Sequence, residues 1–267
     1  MDKIEEIISL SDPGEVGRNT HNRGDRFSVL VSNVMAWIYP VLMLAIVSQI
    51  FLRGSGNNQA WLDDLQWWLY GAAVMVGIGY AVTTNSHVRV DIFFANFNAN
   101  KQARIEVFGL AWLFLPFIIL AWDMTFHYAV ASVQANEGSD SPNGLHRLYL
   151  LKVFLNISLA FVGIAVWAAY VRYLSKLTRP LLWRQLLYAL PSTMFLVNLI
   201  IFYILYWYVR LTAPPDFNIR RVTREPIFEP VELMGVEILK TMLMTFVVTA
   251  IVILLAYLMR SKDERSA

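Results

Sequence analysis

The chain has 267 residues, 57% of them apolar and 16% charged, with a formal net charge of +2 and no cysteine. That balance is too apolar for a soluble domain of this length, and the near-neutral charge leaves no basic footprint for nucleic acid. Without cysteine there are no disulfides, thiolate metal sites or cysteine nucleophiles.

A helix that crosses the roughly 30 Å hydrocarbon core needs about 20 mostly apolar residues. Continuous apolar runs without period-two alternation select helices over a closed barrel. The sequence therefore predicts an all-α, polytopic membrane bundle with six spans, near 27–52, 65–84, 105–130, 148–173, 186–209 and 234–259. Residues 1–26 form a polar tail carrying Asp2, Glu5, Glu6, Asp12 and Glu15. The run after it exceeds the apolar core of a cleaved signal and is read as a retained anchor.

Within the first and fifth spans, Pro40 and Pro191 are expected to bend their helices. Trp61, Trp67 and Trp68 crowd the start of the second span beside Asp63 and Asp64. Amphipathic rings favour the headgroup level, so these tryptophans are read as interfacial anchors on a helix that runs along the surface before it crosses. Ala73, Gly77 and Ala81 follow at intervals of four, the spacing that lets a second helix approach closely. The competing reading is chance in a Gly/Ala-rich span.

Lys and Arg sort unequally between alternate connections. Lys3, Arg18, Arg23, Arg26, Arg89, Lys101, Arg104, Arg172, Lys176, Arg179, Arg184, Arg260, Lys262 and Arg265 outnumber Arg53, Arg147, Arg210, Arg220, Arg221 and Arg224. The richer set marks the cytoplasmic side, so both termini are expected there. Lys152 and Lys240, at the outer ends of their spans, are expected to reach the headgroups along their flexible stems.

Sites of chemistry are sparse. Asp123, with Trp122 and His127 nearby, is the deepest carboxylate, and an interhelical or interfacial polar contact is preferred over a cation or proton ligand. His21, His87 and His146 fall in tails or loops, which leaves His127 alone and rules against paired haem ligation. No nucleophile, base and orienting group converge, so neither catalytic residues nor a cofactor or metal is expected. Asn33, Asn156 and Asn198 read as polar glue between helices. The two halves show no internal similarity of the kind that marks self-sufficient carriers.

The second connection reads Asn85-Ser86-His87-Val88-Arg89-Val90-Asp91-Ile92-Phe93. On its own it is a basic loop closing a helical hairpin. It closely resembles the cytoplasmic His-Val/Ile-Arg-Val-Asp segment after the second span of the small membrane subunit of tripartite ATP-independent periplasmic (TRAP) transporters, the DctQ-like family. His87, Arg89 and Asp91 match it position by position. The aromatic and acidic stretch from Trp61 to Trp68, and Glu137-Gly138-Ser139 followed by Lys152, look like the family as well. The resemblance covers roughly residues 27–173.

It implies a scaffold subunit that joins a large membrane subunit holding the substrate and sodium sites, with a separate periplasmic solute-binding protein delivering organic anions such as carboxylates. Ala73, Gly77, Ala81, His87, Arg89 and Asp91 are then subunit-interface candidates, with Arg89 and Asp91 able to pin each other. The location implied is the bacterial inner membrane. An anchor for a redox or signalling complex is the alternative. The organisation expected is a tail (1–26), a four-helix domain (27–173) and an additional hairpin (174–267). The family commonly has four spans, so the hairpin has no role to inherit. Its long connection, 210–233, holds Pro214-Pro215 and alternating bases and acids, which suggests a structured periplasmic surface meeting the binding protein or the outer edge of the large subunit; a solvated loop is the competing reading.

Overall fold

A computed structural model describes residues 14, 17–87, 92–214, 217–233 and 235–260, with the side chains of 219 and 220 left aside. The chain divides into two compact units, Met1–Leu177 and Thr178–Ala267. Among the described residues, six helical stretches are long and apolar enough to cross a membrane. The protein is an essentially all-α, multi-pass membrane protein.

In the first unit, α1 (Arg23–Met35) begins on a capping box. The Asn22 Oδ1 accepts the Asp25 N–H at 3.0 Å, and the Asp25 carboxylate accepts the Asn22 N–H at 3.1 Å. Two orphan donors at the helix start are satisfied reciprocally. The helix breaks at Ala36–Trp37, and α2 (Ile38–Gly54) continues the crossing. Pro40 supplies the cause: it has no N–H for the Ala36 carbonyl, which accepts the Tyr39 N–H at 3.1 Å instead, so a tighter turn interrupts the ladder.

Next, α3 (Ala60–Thr84) is one unbroken helix of 25 residues. The helix starts five residues before the expected span, so Trp61, Trp67 and Trp68 sit on its first turns. Asn85 ends the helix at φ 56°, which turns the chain so that the Ser86 N–H reaches the Ala81 carbonyl at 3.1 Å. Asparagine tolerates this left-handed geometry better than most residues.

The third crossing is compound. It consists of α4 (Ala99–Phe108), a π-helical turn over Gly109–Phe114, and α5 (Leu115–Gln134). Pro116 follows the wide turn directly, so the missing proline N–H falls where the ordinary i to i−4 ladder is already suspended. A ladder of Ala103, Val107, Ala111 and Leu115 stays buried through the π turn.

The centre of the unit is α6 (Tyr149–Ser175), which packs against α1, α3, α4 and α5. Val162, Ala165, Val166, Ala169, Tyr170 and Leu174 are fully buried. In lipid no hydrophobic gain accompanies helix pairing, so close approach at small side chains and interhelical hydrogen bonds must supply the cohesion. Asn156 provides such a bond, donating to the Trp122 carbonyl at 2.7 Å and to Thr125 Oγ1 at 2.9 Å.

In the second unit, α7 (Leu182–Tyr188) is followed by α8 (Leu190–Thr212). Pro191 sits in the first turn of α8, a position that tolerates proline, so it opens a helix rather than bending one. Asn198 donates to Thr245 Oγ1 at 2.9 Å, tying α8 to α9 (Lys240–Leu258). Both Asn156 and Asn198 thus act as the interhelical glue expected of them, whereas Asn33 is exposed rather than buried. The last span starts at Lys240 instead of 234 because Pro230–Leu233 (β1) and Val236–Leu239 (β2) pair as an antiparallel hairpin. Gly235, at φ 79°, makes the turn that a helix cannot accommodate.

Candidate functional site

The described residues of the first unit carry two polar clusters at its opposite ends and a row of small side chains between them. At the end where α1 begins and α3 and α6 finish, Asp25 and Arg172 form a buried ion pair, Oδ1 to Nη1 2.9 Å, with side chains 0% and 6% exposed. Arg172 Nη2 also donates to the Thr83 carbonyl at 2.8 Å, which satisfies an orphan acceptor in the last turn of α3. Asn22 Nδ2 donates to the Ala168 carbonyl at 2.8 Å. Tyr173 Oη donates to Asn85 Oδ1 at 2.9 Å. One arginine on α6 therefore joins α1 and α3.

Composition hid this cluster. Arg172 reads as one more base on the cytoplasmic side, but the structure buries it within α6. The available signal was the capping pattern Asn22-x-x-Asp25, which marks the true start of the first helix four residues before its apolar run.

At the opposite end, Arg53 grips Asp63 through both carboxylate oxygens at 2.9 and 2.7 Å, and Gln49 donates to the same group at 3.2 Å. Asp64 accepts the Leu145 N–H at 2.8 Å, pinning the long connection between α5 and α6 onto the start of α3. In that connection Glu137 pairs with Lys152 and accepts Ser132 Oγ at 2.5 Å. Lys152 also lies 4.0 Å above the Tyr128 ring. It is thus held by a carboxylate and a ring rather than reaching freely for headgroups.

The hydrogen bonds from Lys152 and then Ser132 hold the Glu137 carboxyl below its ordinary value of 4.5. A folded-state value below the unfolded one adds stability that is complete above pH 4.5 and disappears as pH falls through the lower value. Heat resistance in detergent is therefore expected to fall in acid by less for E137Q than for the native chain. Identical acid profiles would remove the role of this pair.

The predicted interface residues separate. Ala73 is 3% exposed, inside the bundle, while Gly77 and Ala81 are half-exposed at its edge. A step of four advances about 40° around an α-helix, so a row at that spacing leaves the seam it started in. A Cβ added at Gly77 meets nothing within 4 Å. Tyr70, Val74 and Ile78 share this open side of α3, at 53%, 41% and 37% exposure.

His87 is exposed, with Nδ1 3.3 Å from the Ala81 carbonyl. Arg89 and Asp91 lie outside the described residues. Trp61 is 40% and Trp67 71% exposed, and Trp67 meets Tyr70 edge-on at 6.3 Å. Trp68 is half-buried. Asp123 is half-buried and His127 exposed, and among the described residues no three His, Asp or Glu side chains gather as metal ligands.

The contacts described in this unit lock helices to one another, and its outer flank on α3 is apolar: the class is a helical, multi-pass membrane protein. Residues 42–177 match the family described as "Tripartite ATP-independent periplasmic transporters, DctQ component", and the chain belongs to that family. No curated protein and no solved structure matches it. The match ends at Leu177, where the first compact unit ends.

Proposed function

We propose that this chain is the fixed, non-catalytic scaffold subunit of a sodium-coupled, binding-protein-dependent transporter for organic anions such as carboxylates. It associates in the bacterial inner membrane with a large membrane subunit, which carries substrate and sodium, and a periplasmic solute-binding protein supplies the substrate. Both termini face the cytoplasm in this reading, in keeping with the excess of Lys and Arg on that side.

The observation that carries the reading is the open side of α3 within the family-matched unit. Gly77 has empty space where a side chain would stand, and Tyr70, Val74 and Ile78 beside it are partly exposed among the described residues. A helix of the large subunit packed there, with Ala81 extending the contact, gains the close approach that small residues allow. His87, Arg89 and Asp91 continue the contact past the end of α3.

Copurification from native membranes in mild detergent tests the proposal, with recovery of a large polytopic permease expected and recovery of an oxidoreductase or of this chain alone counting against it. Gly77→Leu is expected to cut the yield of that complex several-fold without lowering the heat resistance of the isolated subunit. Normal complex yield would move the interface elsewhere.

A further inference from the structure

The β1–β2 hairpin is an amphipathic sheet joined without a spacer to a membrane helix. Its register pairs Val231 with Ile238, Glu232 with Glu237 and Leu233 with Val236. Side chains alternate across a strand, so Val231, Leu233, Val236 and Ile238 share one face, and the two glutamates share the other with Pro230 and Leu239 at the root of the hairpin. Leu233 and Val236, next to the turn, are 48% and 58% exposed, whereas Val231 and Ile238 are half-buried. The apolar face is thus least covered at its tip.

The base of the hairpin is fixed at the membrane. β2 ends at Leu239 and α9 begins at Lys240, whose Nζ donates to the Pro226 carbonyl across the root of the loop. Phe228, 9% exposed, packs on Phe202 of α8 with ring centroids 5.7 Å apart. The Asn198–Thr245 bond sets the level. The two helices run antiparallel, so Lys240, five residues before Thr245, comes level with Tyr203, five after Asn198. Tyr203, Tyr206, Trp207 and Tyr208 therefore lie at or beyond the start of α9, the belt expected where hydrocarbon gives way to headgroups. Four residues of strand rise about 13 Å, so the tip stays close to that belt.

Glu232 and Glu237 decide which way the sheet faces. Like charges directly opposite each other repel, and a low-dielectric or anionic surrounding makes the repulsion worse. Their face belongs in water, which turns the apolar face toward lipid. We propose that the hairpin lies on the membrane surface, with Leu233 and Val236 inserted at the boundary between headgroups and acyl chains and Glu232 and Glu237 facing water. It is then a surface anchor that fixes the rotation and height of α9, with lipid as its partner.

The natural absence of cysteine makes the test direct. L233C, V236C, E232C and E237C are each spin-labelled in the full chain in lipid nanodiscs, and collision with oxygen is compared with collision with a water-soluble nickel chelate. The expected oxygen-to-nickel ratio is several-fold higher at 233 and 236 than at 232 and 237. Nickel access at all four positions overturns the proposal by placing the hairpin in water. Shielding of 233 and 236 from both probes overturns it in favour of a protein contact, such as a second copy of the chain.

Discussion

Arg172→Met is expected to destabilise the first unit more than any other single change to a polar side chain described above. It leaves the Asp25 carboxylate buried without a cation and strips the Thr83 carbonyl of its donor. Breaking a buried pair from one side costs about 3–5 kcal/mol, because the remaining charge keeps its desolvation penalty. Asp25→Asn is expected to cost less than Arg172→Met: asparagine retains an oxygen for the Asn22 N–H, although the guanidinium loses its counter-ion.

The double variant D25N/R172M is expected to recover part of the loss, since no net charge then remains buried. The readout is the fraction of monodisperse protein surviving a temperature series in detergent. Strict additivity of the two single losses would show that the groups do not act as a pair.

Gly24→Leu is the second large effect. A Cβ at Gly24 would stand 2.7 Å from the Ala168 Cβ and 3.8 Å from its Cα. Neither atom is the tip of a flexible side chain, so α1 has to move away from α6. Overpacking of this kind costs about 1–3 kcal/mol, and here the displacement also stretches the Asn22 bond to the Ala168 carbonyl and the Asp25–Arg172 pair. The same temperature series should show Gly24→Leu clearly weakened and Gly77→Leu unchanged, since both replace a helical glycine but only one meets a neighbour. Equal behaviour would mean that α1 tilts freely on the bundle.

The spans were legible because hydropathy over some 20 residues is a strong, additive signal, and it found all six, although the second and third helices begin earlier, at Ala60 and Ala99, on polar turns that hydropathy does not register. Breaks in the helices are where local chemistry outvotes hydropathy. Pro40 interrupts the first crossing, and the π turn before Pro116 widens the third. The 234–239 stretch is apolar enough to extend the last span, yet it pairs with 230–233 because Gly235 reverses the chain.

Candidate contacts were harder to read. Spacing of small residues identifies a row on α3 but not where the bundle seam leaves it, so Ala73 is buried by its own chain while Gly77 is open. Charge counting treats every arginine near a helix end as solvated. It therefore missed Arg172, whose partner lies on a helix far away in sequence and whose burial depends on how α1, α3 and α6 converge.

That distance has a consequence for biosynthesis. Asn22 and the Ala168 carbonyl it binds are 146 residues apart. At about 5–20 residues per second the ribosome takes about 7–30 s to cover that separation. Until the last helix of the four-span unit is made, Asp25 has its capping contact with the Asn22 N–H but not its ion pair with Arg172, so the first helix is held to the rest of the unit only after that helix is in place.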